Sequence, residues 1–438
     1  MSNKLHSQRR ARGIDRGLSE GHAFGRIVSI SLMAVTLLML AAPHKASAAQ
    51  ATWSGDSVLT APITTGSIYV RAANNVSGVA ALVWDQRVDN STSDVYAAVN
   101  DGSGWTTPRR LTVSPTSYNA NSGAVVAPDG TVTAFWVEGT TPYYSAYANG
   151  GWTPAAVIPA DPDFGNIAGA GVDNAGNVQV LMAALRSNGS SKTYDMEVLV
   201  KDSVGNWTAP TPLTTTPGSY PKLLMNSNGQ ALVVAGYLAW RSASTGRWAL
   251  QPKAIPSMAG QTYTIDAALD AAGNGYFVLR NRYGGMNIST STPTSNWTAL
   301  RHLTKFDGLG SSIAITGGGA GGALIYGVDY LTGKLRASVT TSAGKSWGTL
   351  TTFGVIDTQA TATGGETGLY GIAWDGKVSV GTGVGTRAVA WNTQVVAPNP
   401  YLGDVAMAGS RAVTGWARGT DPTLVDTVIS ARTATIAP

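Results

Sequence analysis

One tryptophan-centred segment recurs along the chain at a nearly constant interval. It reads GSGWTTP at Trp105, NGGWTP at Trp152, VGNWTAP at Trp207, TGRWALQP at Trp248, TSNWTAL at Trp297, GKSWGTL at Trp347 and AVAWNTQ at Trp391. An atypical first copy, ATWSGDS, surrounds Trp53. Successive tryptophans lie 52, 47, 55, 41, 49, 50 and 44 residues apart. A period of this size marks an array of supersecondary units, each unable to bury its apolar face alone.

A second motif falls between these. A Gly/Asn/Asp turn leads into an apolar strand: SGVAALVW, PDGTVTAFW, NAGNVQVLM, SNGQALVVA, AAGNGYFVL, GAGGALIYG, GLYGIAW and SRAVTGW. Asn-Gly, Asp-Gly and Gly-Asn ahead of such a run signal a hairpin. A third strand follows, as in DVYAAVN or MEVLVKD. Each unit of about 48 residues therefore carries four short strands, the size of a β-propeller blade. The pattern predicts an all-β fold over residues 49–438. It is a single β-propeller of about eight four-stranded blades, or seven if the weakly patterned unit over 361–397 is not a blade. The last unit has three strands, near Val405, Val413–Trp416 and Val428–Thr433, and no Trp strand. The segment Thr52–Pro62 is a Trp strand with no partners before it. Pairing the two closes the ring and removes exposed sheet edges.

Composition supports this reading. The chain has 53 Gly, 13 Trp and only 13% charged residues, which suits strands and turns rather than long helices. It has no cysteine, so disulfides and thiolate chemistry are excluded. The net charge of +5 comes from the first 48 residues, which hold seven Lys/Arg and two Asp/Glu. The rest is neutral, which argues against nucleic acid as a partner. Those 48 residues read as a secretory signal: Arg9, Arg10, Arg12, Arg16 and Arg26, an uncharged run from Ile27 to Ala42, then Ala46-Ser47-Ala48. The run is shorter than the ~20 residues that span a bilayer. Cleavage near Ala48 would leave a secreted or periplasmic chain with no stable membrane insertion.

One repeat is more specific. Thr340-x-Ser342-x-Gly344-x-x-Trp347 resembles the Asp-box of secreted bacterial sialidase-type (BNR) propellers, with Ser in place of the Asp. The first unit, LVWDQRVDNSTSDVYAAVNDGSGWTTP, also resembles the opening blade of that family. The resemblance implies candidate catalytic positions. Arg71 stands where the first carboxylate-binding Arg belongs, Arg87 and Asp89 near the second Arg and the acid, and Tyr370 where the nucleophile could lie. Departures from the family pattern point to a non-catalytic member. Arg71 is followed by Ala-Ala, and beyond the leader Glu occurs only at 138, 197 and 366, outside the units that should supply the tyrosine's partner.

In a propeller, inner-strand starts and the loops after the second strands meet at one end of the channel. Those loops are read as carrying Asp85, Arg87, Glu138, Arg186, Arg241, Arg280, Arg282, Asp329, Asp375 and Arg418, with Tyr143, Tyr144, Tyr283 and Tyr330 in or beside them. Guanidinium forks beside aromatic faces suit carbohydrate with acidic groups; solvated loop charges or inter-blade ion pairs are the plainer reading. A single His beyond the leader, His302, gives no multi-His metal site. The Asp173–Asn177 and Asp270–Asn274 segments resemble calcium loops faintly but sit where hairpin turns are expected. No cofactor is expected, and calcium is the one ion these segments leave open. The expected function is a lectin-like module binding carbohydrate or an extracellular protein. The alternatives are a glycoside hydrolase or lyase on the same scaffold, with Asp85, Asp89, Asp329 and Asp375 as candidate carboxyls, and a modulator or substrate of an extracellular protease or cross-linking enzyme.

Overall fold

The second strand of each repeat is apolar on both faces, as a strand must be when sheets cover it from both sides. Ala80–Arg87 is buried over its first six residues and Leu369–Trp374 throughout. In the computed structural model, eight sheets satisfy this demand by facing one another around a ring. The structure describes residues 49–60, 69–89, 92–114, 116–117, 122–188, 191–217, 221–235, 237–250, 265–280, 285–293, 295–309, 313–356, 360–383, 389–396, 400–418 and 428–437. The leader expected over 1–48 lies outside them.

The inner and second strands are Tyr69–Asn74 and Ala80–Arg87 in blade 1, Gly123–Val126 and Val132–Glu138 in blade 2, Asn166–Val172 and Val178–Asn188 in blade 3, and Lys222–Met225 and Ala231–Ala235 in blade 4. Blades 5 to 8 continue with Ile265–Leu269 and Gly275–Arg280, Ala314–Gly317 and Ala323–Val328, Thr361–Gly364 and Leu369–Trp374, and Pro400–Ala408 and Arg411–Arg418. Every pairing within a blade is antiparallel. The unit over 361–397 is a true blade, which settles the count at eight. Among the described residues the one helical segment is a 3-10 turn, Thr304–Phe306, and no helix is long and apolar enough to cross a membrane.

Each turn between inner and second strands needs one residue in the left-handed region, and glycine supplies it without steric cost. Every blade has one, from Gly78 at φ 94° to Gly409 at φ 55°.

The recurring tryptophan explains the period. Each of the eight interfaces between neighbouring blades receives one indole from the outer segment of the later blade. Trp152 packs between blades 1 and 2, Trp207 between 2 and 3, Trp248 between 3 and 4, and Trp297 between 4 and 5. Trp347, Trp391, Trp53 and Trp105 complete the circle. An indole burying 150–250 Å² contributes roughly 4–6 kcal/mol by area.

The ring closes where the chain ends meet. Gln50–Trp53 pairs with the last strand, Val428–Ala437, in the register Gln50 to Ala437 through Trp53 to Ala434. After a break, Ser57 and Val58 pair with Ala431 and Ser430. The closing strand thus begins earlier than Thr52 and is split in two, with Asp56 between the halves bonded to Arg432; residues 61 and 62 lie outside the described residues. Gln394 Nε2 of blade 7 donates to the Ala51 carbonyl at 3.0 Å, fixing the strand from its other face.

Trp347 is 8% exposed and meets Phe306 edge-on at 5.8 Å. Trp347→Ala should lower unfolding stability by about 3–5 kcal/mol, measured by urea titration. Val204→Ala, at an 81% exposed loop position, should change it by less than about 0.5 kcal/mol.

Candidate functional site

The antiparallel register sorts polar residues between the two ends of the channel. The start of each inner strand lies opposite the end of its second strand, as Tyr69 lies opposite Asp85. One end, the loop end, therefore gathers inner-strand starts and the loops after the second strands. The other, the turn end, gathers the glycine turns.

At the loop end a cavity of about 310 Å³ is lined by Arg71, Ser122, Gly123, Ala124, Phe135 and residues 167–170, from blades 1, 2 and 3. Small residues on these inner strands leave the space that Arg71 enters. Arg71 is exposed, and its Nη1 gives one bent bond to the Val70 carbonyl at 3.3 Å. Asp85, on the neighbouring strand, is 7% exposed, and its Oδ1 has no partner among the described residues. Burial pushes its carboxyl up to about 6, partly offset by the Ser122 hydroxyl and the Arg71 charge. Asp404, on the inner strand of blade 8, is also raised by burial, offset by the Ala72 N–H and then Arg71. Its Oδ2 accepts that N–H at 3.0 Å. One guanidinium thus stands between two carboxyls that burial favours in the protonated form. Asp404 has no motif around it, and its role became visible only when the ring placed blade 8 beside blade 1.

The expected arginine crown is not a uniform ring. Arg186 bonds Asp163 and Asp195, each at 2.9 Å. Asp329 takes the N–H groups of Leu331 and Thr332 and the Arg336 guanidinium. Glu138 accepts from the Val113 and Ser114 N–H groups and from Trp136 Nε1. Arg87 Nε donates to the Asp89 carbonyl, and the Asp89 carboxylate accepts from Thr92. Asp375 occupies a tight turn at φ 39°. Arg280 ends its second strand half-buried, and its Nε is without a partner among the described residues. Arg282 and Tyr283 lie outside the described residues; of Arg418 only the backbone is described, ending its strand.

Two placements are corrected. Arg241 is not in a loop after a second strand. The second strand of blade 4 stops at Ala235 and the third, Tyr237–Arg241, begins at once, carrying Arg241 to the turn end. There it donates to the Gly229 carbonyl at 2.6 Å. Tyr370 does not join Arg71 either. It is 0% exposed between blades 6 and 7, and burial raises its hydroxyl above the usual range. Tyr143 and Tyr144 also serve packing, stacking on Trp136 and meeting Trp207 edge-on, whereas Tyr330 is 64% exposed.

The turn end holds a cavity of about 260 Å³ lined by residues from all eight blades. Glu366 of blade 7 reaches the Ser227 N–H of blade 4 at 2.9 Å. The two calcium-like segments form turns here. Asp173 Oδ1 accepts from the Ala175 and Asn177 N–H groups, and Asp270 Oδ1 from Ala272 and Asn274. Asp270 Oδ2 takes the Tyr276 hydroxyl and the Gly321 N–H. Among the described residues no group of three or more His, Asp or Glu is arranged to hold a metal ion.

The raised Asp85 carboxyl has a pH signature. A carboxyl whose folded pKa lies above its ordinary value favours the folded state in full below about pH 4, and that contribution is lost as pH rises through about 6. From the ordinary 3.8 to about 6, the difference is worth about 3 kcal/mol. Asp85→Asn should match the wild type near pH 4 and exceed its stability by up to that amount at pH 7, read from urea midpoints across the pH range.

No protein-family profile and no curated protein sequence matches the chain. Solved structures do. A lectin from Burkholderia pseudomallei superposes at 15% identity over 78% of this chain and 100% of the lectin, with a TM-score of 0.53. A polysaccharide lyase does so at 9% identity over 84% of this chain and 89% of the lyase, with a TM-score of 0.51. A sialidase from Streptococcus pneumoniae matches more loosely, at 13% identity over 91% of this chain and 72% of that chain, TM-score 0.35. At these identities the lectin and lyase superpositions establish a shared β-propeller fold.

Proposed function

We propose that this propeller is a carbohydrate-binding module that receives a saccharide unit at the loop end of its channel. The observation that carries this reading is the cavity beside Arg71, backed by Asp85 and Asp404. A site of about 310 Å³ is at the lower end of ordinary small-ligand pockets. Arg71 offers a donor fork, and the Ser122 hydroxyl on the cavity wall both donates and accepts. Such a mixed set suits vicinal hydroxyls. Arg87 and Arg280, which end second strands at the same end, would contact more distant parts of a chain. The lectin and the lyase of matching fold both bear names that concern carbohydrate, which supports the same class of ligand.

Asp85 also favours a second reading, a polysaccharide-active enzyme. A carboxyl at about 6 is in the range of a general acid. Hydrolysis on the sialidase plan needs an activated tyrosine besides, and Tyr370 is enclosed by packing. Binding without turnover accounts for both facts.

Binding of the purified chain to a glycan array should identify a ligand whose affinity falls about 10- to 100-fold in Arg71→Ala, the loss of a charged hydrogen-bonding group. Unchanged affinity in that variant would overturn the channel site. Product release from uronic-acid or neutral polysaccharides, abolished by Asp85→Asn, would replace the binding module with the enzyme.

A further inference from the structure

The eight-fold repeat supplies its own control, because a residue needed only for the fold should have equivalents in the other blades. The last residue of the inner strand is Asn74 in blade 1, whereas blades 2 to 8 have Val126, Val172, Met225, Leu269, Gly317, Gly364 and Ala408, each apolar or glycine. Near Asn74 lies Arg411; the residue five before the second-strand Trp is Val79, Thr131, Leu369 and Arg411 in blades 1, 2, 7 and 8, and of these only Arg411 is charged. Arg411 is exposed and faces a groove of about 560 Å³ between blades 8 and 1, larger than either channel cavity. The groove's other walls are the closing strand at Thr52–Ser54, the turn of blade 1 at Asn74 and Gly78, the strand end Thr433–Thr435 and the turn from Asn100 to Gly104.

Its chemistry is incomplete. Arg411 Nη1 donates to Thr435 Oγ1 at 2.6 Å, and no carboxylate pairs with the guanidinium among the described residues. Asn74 Nδ2 donates to the Arg411 carbonyl at 3.1 Å, which turns the amide so that its Oδ1 is buried with no donor. Trp53 Nε1 is a buried donor with no acceptor. That feature recurs in Trp152, Trp207, Trp297 and Trp347, so it does not single out the groove; Arg411 and Asn74 do. Gly102 and Gly104, at φ 102° and 130°, leave the turn open, with no heavy atom within 4 Å of where a side chain would start.

An occupant must bring an anionic acceptor for the Arg411 fork and a hydroxyl donor for Asn74 Oδ1. A uronic-acid unit carries both on one ring. We infer that the groove at the ring's seam is a second saccharide site, selective for uronate and separate from the channel. It rests on the carbohydrate reading only in the class of ligand, not on occupancy of the channel.

Calorimetric titration of the full chain with a galacturonic-acid trimer tests this, with a neutral glucose trimer and a short peptide bearing a free C-terminal carboxylate as comparisons. The acidic trimer should bind, with affinity at least 10-fold weaker in Arg411→Ala and several-fold weaker in Asn74→Ala. Arg411→Lys, which keeps the charge without the fork, should lie between wild type and Arg411→Ala. Arg71→Ala should leave this binding intact. Equal affinity of wild type and Arg411→Ala would overturn the seam site, as would no binding of the acidic trimer. A glucose trimer binding as well as the acidic one would overturn the uronate selectivity, and a peptide binding more tightly would assign the groove to protein termini. Loss of binding in Arg71→Ala with none in Arg411→Ala would leave the channel site standing alone.

Discussion

Pairing of the first strand with the last is the constraint on which the rest of the molecule depends. It joins residues about as far apart in sequence as the chain permits; Thr433 N–H donates to Ser54 Oγ across 379 residues. Closing a loop of that length costs about 5 kcal/mol in chain entropy. The Trp53 indole, half-buried between blades 7 and 8, offsets part of that by area, and the ladder adds to it. Closure also gives every blade a neighbour on both faces. Only then can second strands be apolar on both sides without presenting an edge or a patch.

The taper of the blades explains where polar chemistry falls. Outer segments are far apart and need an indole to fill each gap; inner strands crowd together, most tightly where they carry glycine. A β-carbon on Gly364 would stand 1.9 Å from the Gly317 carbonyl, and one on Gly317 1.9 Å from that of Leu269. Where glycine leaves no room for apolar bulk, polar groups add to the cohesion between inner strands. Asp266 takes Lys222 Nζ from blade 4 and the Ile315 N–H from blade 6. Asn75 and Asn226 donate across their own interfaces to the carbonyls of Ala127 and Asp270. Asp404 does the same at the seam. Most inner-strand polarity is therefore structural, and what it leaves unpaired is what a ligand could use.

The architecture was legible because it depends on features each blade must repeat. Trp, turn glycine and apolar second strand appear at every interface, and eight copies leave little freedom. Even the turns at Asp173 and Asp270 follow from local chemistry, a side-chain oxygen accepting N–H groups two and four residues on. The site was less legible because pairing across repeats has no sequence period. Arg186 looks like any loop arginine until the eleven-residue strands of blade 3 bring Asp195 beside it. Arg241 changes ends because its second strand stops at Ala235 and the third, beginning at Tyr237, runs back to pair Arg241 with Ala231. Asp404 carries no motif, and Glu366 reaches a blade three positions away. Arg71 and Asp85 could be named from position in the first repeat, but not the Ser122 contact or the loss of solvent that shifts the carboxyl.

Departures from the repeat distinguish the groups that serve the fold from those left over. A buried or constrained charge costs free energy unless neighbours satisfy it. At Asp329 and Glu138 they do, through backbone N–H groups supplied by adjacent segments. At Asp85 they do so only in part, and the carboxyl answers by holding its proton to about pH 6. Arg411 lies in water and so costs the fold little, whereas Asn74 ends its inner strand at a position that the other seven blades give to an apolar residue or glycine. Packing alone would favour the apolar choice there too. Incompletely satisfied groups recur around the ring, Gln179 and Arg280 among them, but beside a cavity with an exposed arginine they lie in two places, the channel beside Arg71 and the seam beside Asn74. Both adjoin blade 1, on its opposite faces, which makes the blade flanking the ring closure the part of the molecule least explained by stability alone.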